Sequence, residues 1–214
     1  MSCDKPITVW RTADGIAFEK PRNVAWPEQL EIPCRRCTGC RLDHRQDWAL
    51  RMMHELYWYQ NAEFVTLTYS DENIPSDYSL QQSDMQKFFK RLRKAQPESD
   101  IRYVYSGEYG DSTSRPHYHA IIFGLSLNDK DPFMRNERGE ILYKSKDLAA
   151  IWGNGIVSLG KVTPQSAGYV AGYMLKDIKG NYDPKTPYMI VDPKTGEAVE
   201  RVRPYARYSQ KPAI

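Results

Sequence analysis

The segment Arg115-Pro116-His117-Tyr118-His119-Ala120-Ile121-Ile122-Phe123-Gly124 opens polar and closes apolar. Its tail, Ala120 to Phe123, reads as a buried strand, and a strand sends residues i and i+2 to one face. His117 and His119, half of the four histidines, therefore offer two imidazoles to one point while Tyr118 turns away. Upstream, Ile101-Arg102-Tyr103-Val104-Tyr105 is a second strand-like run, leading into Ser106-Gly107-Glu108-Tyr109-Gly110. A Gly/Asp/Ser/Thr turn separates Glu108 from His117. Paired as a hairpin, the two runs bring Glu108 and the histidines together at one end of a sheet. Two imidazoles, one carboxylate and open positions for water suit a catalytic metal ion. The plainer reading is two partly buried strand histidines.

The 214 residues suffice for one solid core, or one core with a small appended module. Charged residues at 27% and hydrophobic ones at 41% describe a globular chain rather than a disordered one. A net charge of +3 permits a polyanionic partner without demanding one. No apolar run has the length of a membrane span, and Met1-Ser2-Cys3-Asp4 lacks the regions of a signal peptide, so a cytosolic setting without membrane partners is expected. In such a compartment four cysteines argue for thiolate ligands or free thiols before disulfides.

Along the chain, residues 1 to 33 suggest extended segments and loops wrapped on the core. A helix is expected from about Arg41 to Tyr59, with Trp48, Ala49, Met52, Met53 and Leu56 on its apolar face. Phe64 to Tyr69 is the clearest strand. Ser79 or Ser83 is expected to cap a helix carrying Met85, Phe88, Phe89 and Leu92. The opposite face of that helix, with Lys87, Lys90, Arg91, Arg93 and Lys94, reads as solvated or, more sharply, as a phosphate contact. A charged loop is expected from Ser126 to about Lys146, then a short helix 147–152, a strand 155–162 and a helix from about Gln165 to Lys176 opened by Thr163-Pro164. Tight loops between neighbouring strands favour an α+β fold with a central antiparallel sheet of about five strands flanked by helices. Residues 1–180 are expected to form the main domain, including a Cys-rich segment 1–45. Residues 181–214 are expected to form a peripheral Pro-rich arm or hairpin, followed by further chain.

Two other clusters carry chemistry. In Ser166 to Lys176, Tyr169 and Tyr173 stand at i and i+4, with Lys176 three residues on. Four helical residues rise about 6 Å, so both hydroxyls can sweep one volume beside an ammonium. Plain amphipathic packing explains the same spacing. Beside a metal ion, however, a tyrosine can attack phosphorus when a cation polarises the phosphate. Cys34-x2-Cys37-x2-Cys40 offers three thiolates from one loop, a spacing suited to structural zinc or an iron–sulfur cluster, with Cys3 the best fourth ligand and His44 next. Free buried thiols are the alternative. Gly155 to Lys161 imitates a phosphate-binding loop, but Val162 replaces the Ser/Thr that would hold Mg²⁺, and the interior alternates like a strand.

These motifs, in this order, resemble the HUH-endonuclease superfamily, and more narrowly the rolling-circle replication initiators of gokushoviruses (Microviridae). Phe64 to Tyr69, Arg115 to His119 and Tyr169-x3-Tyr173-x2-Lys176 are similar to the three rolling-circle motifs. The likeness extends to Cys34-x2-Cys37-x2-Cys40-Arg41, Trp48 to Arg51 and His54-Glu55. It covers most of residues 1 to 180. The resemblance implies an HUH fold, RRM-like and related to ferredoxin-like folds. It also implies Mg²⁺ or Mn²⁺ held by His117, His119 and Glu108, and a tyrosine attacking a phosphodiester of single-stranded origin DNA, which can form a hairpin. The products would be a 5′-phosphotyrosine and a free 3′-hydroxyl. It ranks Tyr173 as first nucleophile, Tyr169 as its alternate and Lys176 as a phosphate-steadying group. The host replication machinery in the bacterial cytoplasm is the implied partner.

Two rival classes use some of the same residues. Two histidines and a carboxylate also form the facial triad of non-haem iron oxygenases, in which the tyrosine helix has no role. A non-catalytic, zinc-stapled nucleic-acid binder would use Tyr103, Tyr105 and Tyr109 to stack bases.

Overall fold

Each element follows from its local pattern. The computed structural model describes residues 2–22, 26–110, 113–136, 138–174, 188–191 and 195–209. The elements in chain order are β1 (Ile7–Thr12), β2 (Gly15–Ala17), β3 (Gln29–Ile32), α1 (Thr38–Trp58), β4 (Ala62–Tyr69), α2 (Gln82–Ala95), β5 (Arg102–Tyr109) and β6 (Pro116–Phe123). They continue with β7 (Asp131–Arg135), β8 (Ile141–Lys144), α3 (Lys146–Trp152), β9 (Gly155–Lys161), α4 (Pro164–Met174), β10 (Met189–Val191), β11 (Ala198–Glu200) and β12 (Tyr205–Tyr208).

The central sheet is wholly antiparallel and seven-stranded, in the order β12-β5-β6-β4-β9-β8-β7. It is wider than the five or so strands expected. Two of its strands come from the charged segment 126–146, which folds as the hairpin β7–β8 rather than a loop. Every residue of β7 is exposed, so its burial alternation is absent and the polar run hides a strand. Another comes from the tail, where β12 pairs with β5 instead of standing apart as a peripheral arm. The hairpin expected in that tail is β10–β11. Residues 1 to 33, expected as loops, instead hold the small antiparallel sheet β2-β1-β3.

The strand alternation splits the core into two layers. On one face, Val65, Leu67, Tyr105, Tyr118 and Ile122 pack with Met85, Phe88, Phe89 and Leu92 of α2 and Leu148 and Trp152 of α3. On the other, Val104, Ile121 and Phe123 pack with Met52 of α1 and Ala167, Val170 and Ala171 of α4. Burying one fully enclosed aliphatic or aromatic side chain contributes about 1.5–3 kcal/mol, so both helix layers are fastened chiefly by area. Helix α2 begins without a side-chain cap, and neither Ser79 nor Ser83 serves as one. Ser79 Oγ instead accepts the Val202 amide at 2.8 Å, tying the tail to the core. Among the described residues, no helix is long and apolar enough to cross a membrane.

Candidate metal centre

The register of three strands builds the site. Glu108 stands opposite His117 and Ser106 opposite His119 across β5–β6, while Thr66 stands opposite His119 across β4–β6. Cross-strand partners share a face, so Glu108, His117, His119 and Thr66 all look toward the layer of α1 and α4. The hairpin expected from the sequence is thus present, and it brings all three predicted ligands together.

His117 Nε2 lies 3.0 Å and His119 Nε2 2.7 Å from the same oxygen, Glu108 Oε1. One ligand atom from each residue fits within a 4.8 Å group. Each far ring nitrogen is also held: His117 Nδ1 donates to the Arg115 carbonyl at 3.0 Å, and His119 Nδ1 is hydrogen-bonded to Thr66 Oγ1 at 2.9 Å. A carbonyl can only accept, so Nδ1 of His117 carries the proton and Nε2 of the neutral ring presents its lone pair inward. Arg115 is itself fixed, donating to the Tyr69 carbonyl at 2.8 Å and pairing with Asp71. The ring of His119 lies parallel to Phe64 at 5.5 Å, which sets its plane. This donor set of two imidazole nitrogens and one carboxylate, with second partners already arranged, fits a divalent ion.

Charge follows from these contacts. Burial alone would raise the Glu108 carboxyl, but hydrogen bonds from His117, His119 and Tyr169 outweigh it and hold its pKa down at about 2. Burial pushes the His119 imidazole below its ordinary range against the pull of Glu108. An ionised carboxylate and a neutral imidazole are the forms that ligate metal.

Helix α4 delivers the hydroxyl. Thr163 and Ser166 cap it reciprocally, Ser166 N donating to Thr163 Oγ1 at 3.2 Å and Thr163 N to Ser166 Oγ at 2.8 Å, ahead of Pro164 in the first turn. Tyr169 Oη donates to Glu108 Oε1 at 2.7 Å, and its ring meets His119 edge-on at 5.0 Å. Arg45 of α1 reaches across to α4, its Nε donating to the Gly168 carbonyl at 2.8 Å. Sequence reasoning missed Arg45, Thr66 and Phe64 as parts of the site; only the register and helix packing bring them in. Tyr173 lies on α4, with its side chain outside the described residues, and Lys176 lies wholly outside them.

A groove of about 340 Å³ continues from His119 and Tyr169 across Phe64 and Gly160, lined by Arg45, Arg138 and Lys161 with Glu140 at its rim. The tyrosines considered for base stacking do not face such a surface. Tyr105 is buried, Tyr103 stacks on Phe89 at 3.5 Å, and Tyr109 donates to the Val202 carbonyl, because odd-numbered β5 residues point to the α2 layer. In the basic face of α2, Arg91 donates to the Ile151 and Trp152 carbonyls and Arg93 to Ile101, so both join elements together. The apparent phosphate loop is strand β9, as its alternation suggests. Its Gly155, at φ +148°, is required because a Cβ there would strike the backbone of Thr68 to Ser70. The second predicted cluster also assembles: Cys3, Cys34, Cys37 and Cys40 draw together, with Cys3 rather than His44 as the fourth member.

Comparison with known proteins agrees with this architecture. The chain is 34% identical over 196 residues to Replication-associated protein VP4 of Bdellovibrio phage phiMH2K, covering 88% of this chain and 62% of that protein. It is 36% identical over 155 residues to Replication-associated protein ORF2 of Spiroplasma virus 4, covering 69% and 48%. It is 27% identical over 179 residues to Replication-associated protein ORF4 of Chlamydia phage 1, covering 80% and 44%. The chain thus spans about half to three-fifths of the length of these relatives. No solved structure matches it. The profile of the Replication-associated protein ORF2 family matches residues 62–178, from the start of β4 past the tyrosine helix, and the chain belongs to that family.

Proposed function

We propose that this chain is the nicking and strand-transfer domain of a phage replication initiator, acting on single-stranded DNA at an origin. The observation that carries the reading is the convergence of a tyrosine hydroxyl with two histidines on one carboxylate oxygen. His117, His119 and Glu108 would hold Mg²⁺ or Mn²⁺. Such an ion supplies Lewis-acid polarisation of a phosphoryl oxygen and charge neutralisation.

The remaining steps belong to the chain's own residues. Tyr169 Oη attacks phosphorus, its proton passing to the neighbouring carboxylate or to water, and a P–O bond to tyrosine forms. The P–O3′ bond breaks, leaving a 5′-phosphotyrosine and a 3′-oxygen that takes up a proton and can prime synthesis. The reverse reaction rejoins strands. The position of its hydroxyl favours Tyr169 for the first attack, inverting the sequence-based ranking; Tyr173, one helical turn on, would take the alternate step, with Lys176 steadying the phosphate. Arg45, Arg138 and Lys161 along the adjoining groove give the flanking phosphates a cationic path.

The test is to incubate the protein with labelled single-stranded origin DNA and Mn²⁺ and to look for a denaturant-resistant protein–DNA adduct. A chelator-sensitive adduct is expected. Binding without cleavage would favour a non-catalytic role, and oxygen consumption without DNA cleavage would favour the iron-enzyme reading.

A further inference from the structure

We infer that Cys3, Cys34, Cys37 and Cys40 hold a single tetrahedral metal ion, zinc in the first instance, and that this ion fastens the sheet β1–β3 to the start of α1. The four Sγ atoms lie within 4.8 Å of one another, with Cys37 to Cys3 at 3.8 Å and Cys34 to Cys40 at 4.0 Å. Four zinc–thiolate bonds of about 2.3 Å arranged tetrahedrally have sulfur–sulfur edges of about 3.8 Å. An iron–sulfur cluster spreads its cysteines over several irons and holds them farther apart, so the spacing selects one ion over a cluster. The alternative left open by the cysteine spacing alone is thereby narrowed.

The backbone around the sulfurs is arranged for thiolates. Amides of Asp4 and Cys40 point at Cys37 Sγ at 3.3 and 3.4 Å, that of Cys34 at Cys3 Sγ at 3.3 Å, and that of Cys37 at Cys34 Sγ at 3.4 Å. Such donors stabilise negative sulfur and orient it. Arg35, between the first two cysteines of the loop, adopts φ +59°, a tight reversal that brings Cys34 and Cys37 together.

The position of the cluster explains its purpose. β1 pairs with β3 from Ile7 opposite Ile32, so Cys3 and Cys34 sit just beyond the open end of that ladder. Cys37 is the N-cap of α1 and Cys40 lies in its first turn. Val9 is the one buried hydrophobic side chain among the described residues 2–32, whereas Ile16 and Phe18 are exposed. A sheet with so little core needs another source of cohesion. Gly39, between Cys37 and Cys40, makes the docking possible: a Cβ there would collide with the Ser2 carbonyl.

The experiment measures metal in purified protein, using wild type and a His117→Ala/His119→Ala variant that removes the other candidate site from the count. One zinc per chain is expected in both. Replacement by Co²⁺ in the wild type should give the visible bands and sulfur-to-metal charge transfer of a tetrahedral tetrathiolate, and Cys3→Ser should weaken that charge transfer. Strong chelation should open residues 2–32 to limited proteolysis while residues 62–161 stay protected. Iron with acid-labile sulfide, no retained zinc, a cobalt spectrum without thiolate charge transfer, or proteolysis unchanged by chelation would each overturn the inference.

Discussion

The Tyr169 hydroxyl and the Glu108 carboxylate meet at 2.7 Å, joining helix α4 to the end of β5 through the oxygen that both histidines face. Tyr169→Phe should therefore reduce the covalent DNA adduct to background while changing Mn²⁺ affinity only a few-fold. Tyr173→Phe should retain the first-cut adduct and lose strand rejoining. A gel assay of both variants on labelled single-stranded DNA checks this; a wild-type adduct yield from Tyr169→Phe would reverse the order of the tyrosines.

Thr66 touches no ligand oxygen, yet its hydroxyl holds the outer nitrogen of His119. Thr66→Val keeps the volume and removes that contact. Loss of such an outer partner costs about 10–100-fold in metal affinity. Calorimetric titration with Mn²⁺ should show a drop of this size without loss of fold.

With the divalent ion withheld, Glu108 also makes stability depend on pH. Its folded pKa, about 2, lies below the ordinary 4.5, so the unfolded chain binds more protons between those values. The contribution is fully present above the ordinary pKa and is lost as pH falls toward about 2. Urea unfolding across that window should show a steeper fall for wild type than for Glu108→Gln, which has no proton to gain. Equal slopes would mean that the carboxylate is not held by its three donors.

Each cation in the groove should count separately in the salt dependence of binding. Arg138→Ala or Lys161→Ala is expected to lower the slope of log affinity against log salt by about 0.7 for single-stranded DNA. Fluorescence anisotropy at several salt concentrations measures it. An unchanged slope for both variants would place the DNA elsewhere.

Trp152 closes the opposite layer, fully buried against Tyr69, Phe88 and Tyr118, with its indole N–H donating to the Thr68 carbonyl at 3.3 Å. Trp152→Ala should destabilise the fold by about 3–5 kcal/mol. Chemical denaturation would report this as a lower midpoint, and a loss under about 1 kcal/mol would show that the layer collapses readily around the gap.

The elements that bury one face were readable before the structure, because alternation in β4 to β6 and helical spacing in α1 and α2 are dictated by burial. The ligand triad was readable for the same reason: a hairpin with alternating sides leaves few ways to place Glu108, His117 and His119. The hairpin β7–β8 was not, since β7 is exposed on both faces and shows no period. Thr66, Phe64 and Arg45 were hidden for a different reason. Their roles come from strand register and from one helix crossing another, and neither is a property of nearby sequence. Tyr103 and Tyr105 were misjudged because aromatic content alone does not say which way a strand residue faces.

Strand β12 lies outside residues 62–178, yet it covers the free edge of β5, pairing Tyr205 with Gly107 next to Glu108. A fragment trimmed to the matched region would turn β5 into a bare edge, ready to add strands from other molecules. Arg45, the contact from α1 to α4, would be lost as well. The shortest piece able to behave as a well-mannered monomer therefore runs beyond the motifs on both sides, from α1 through Tyr208.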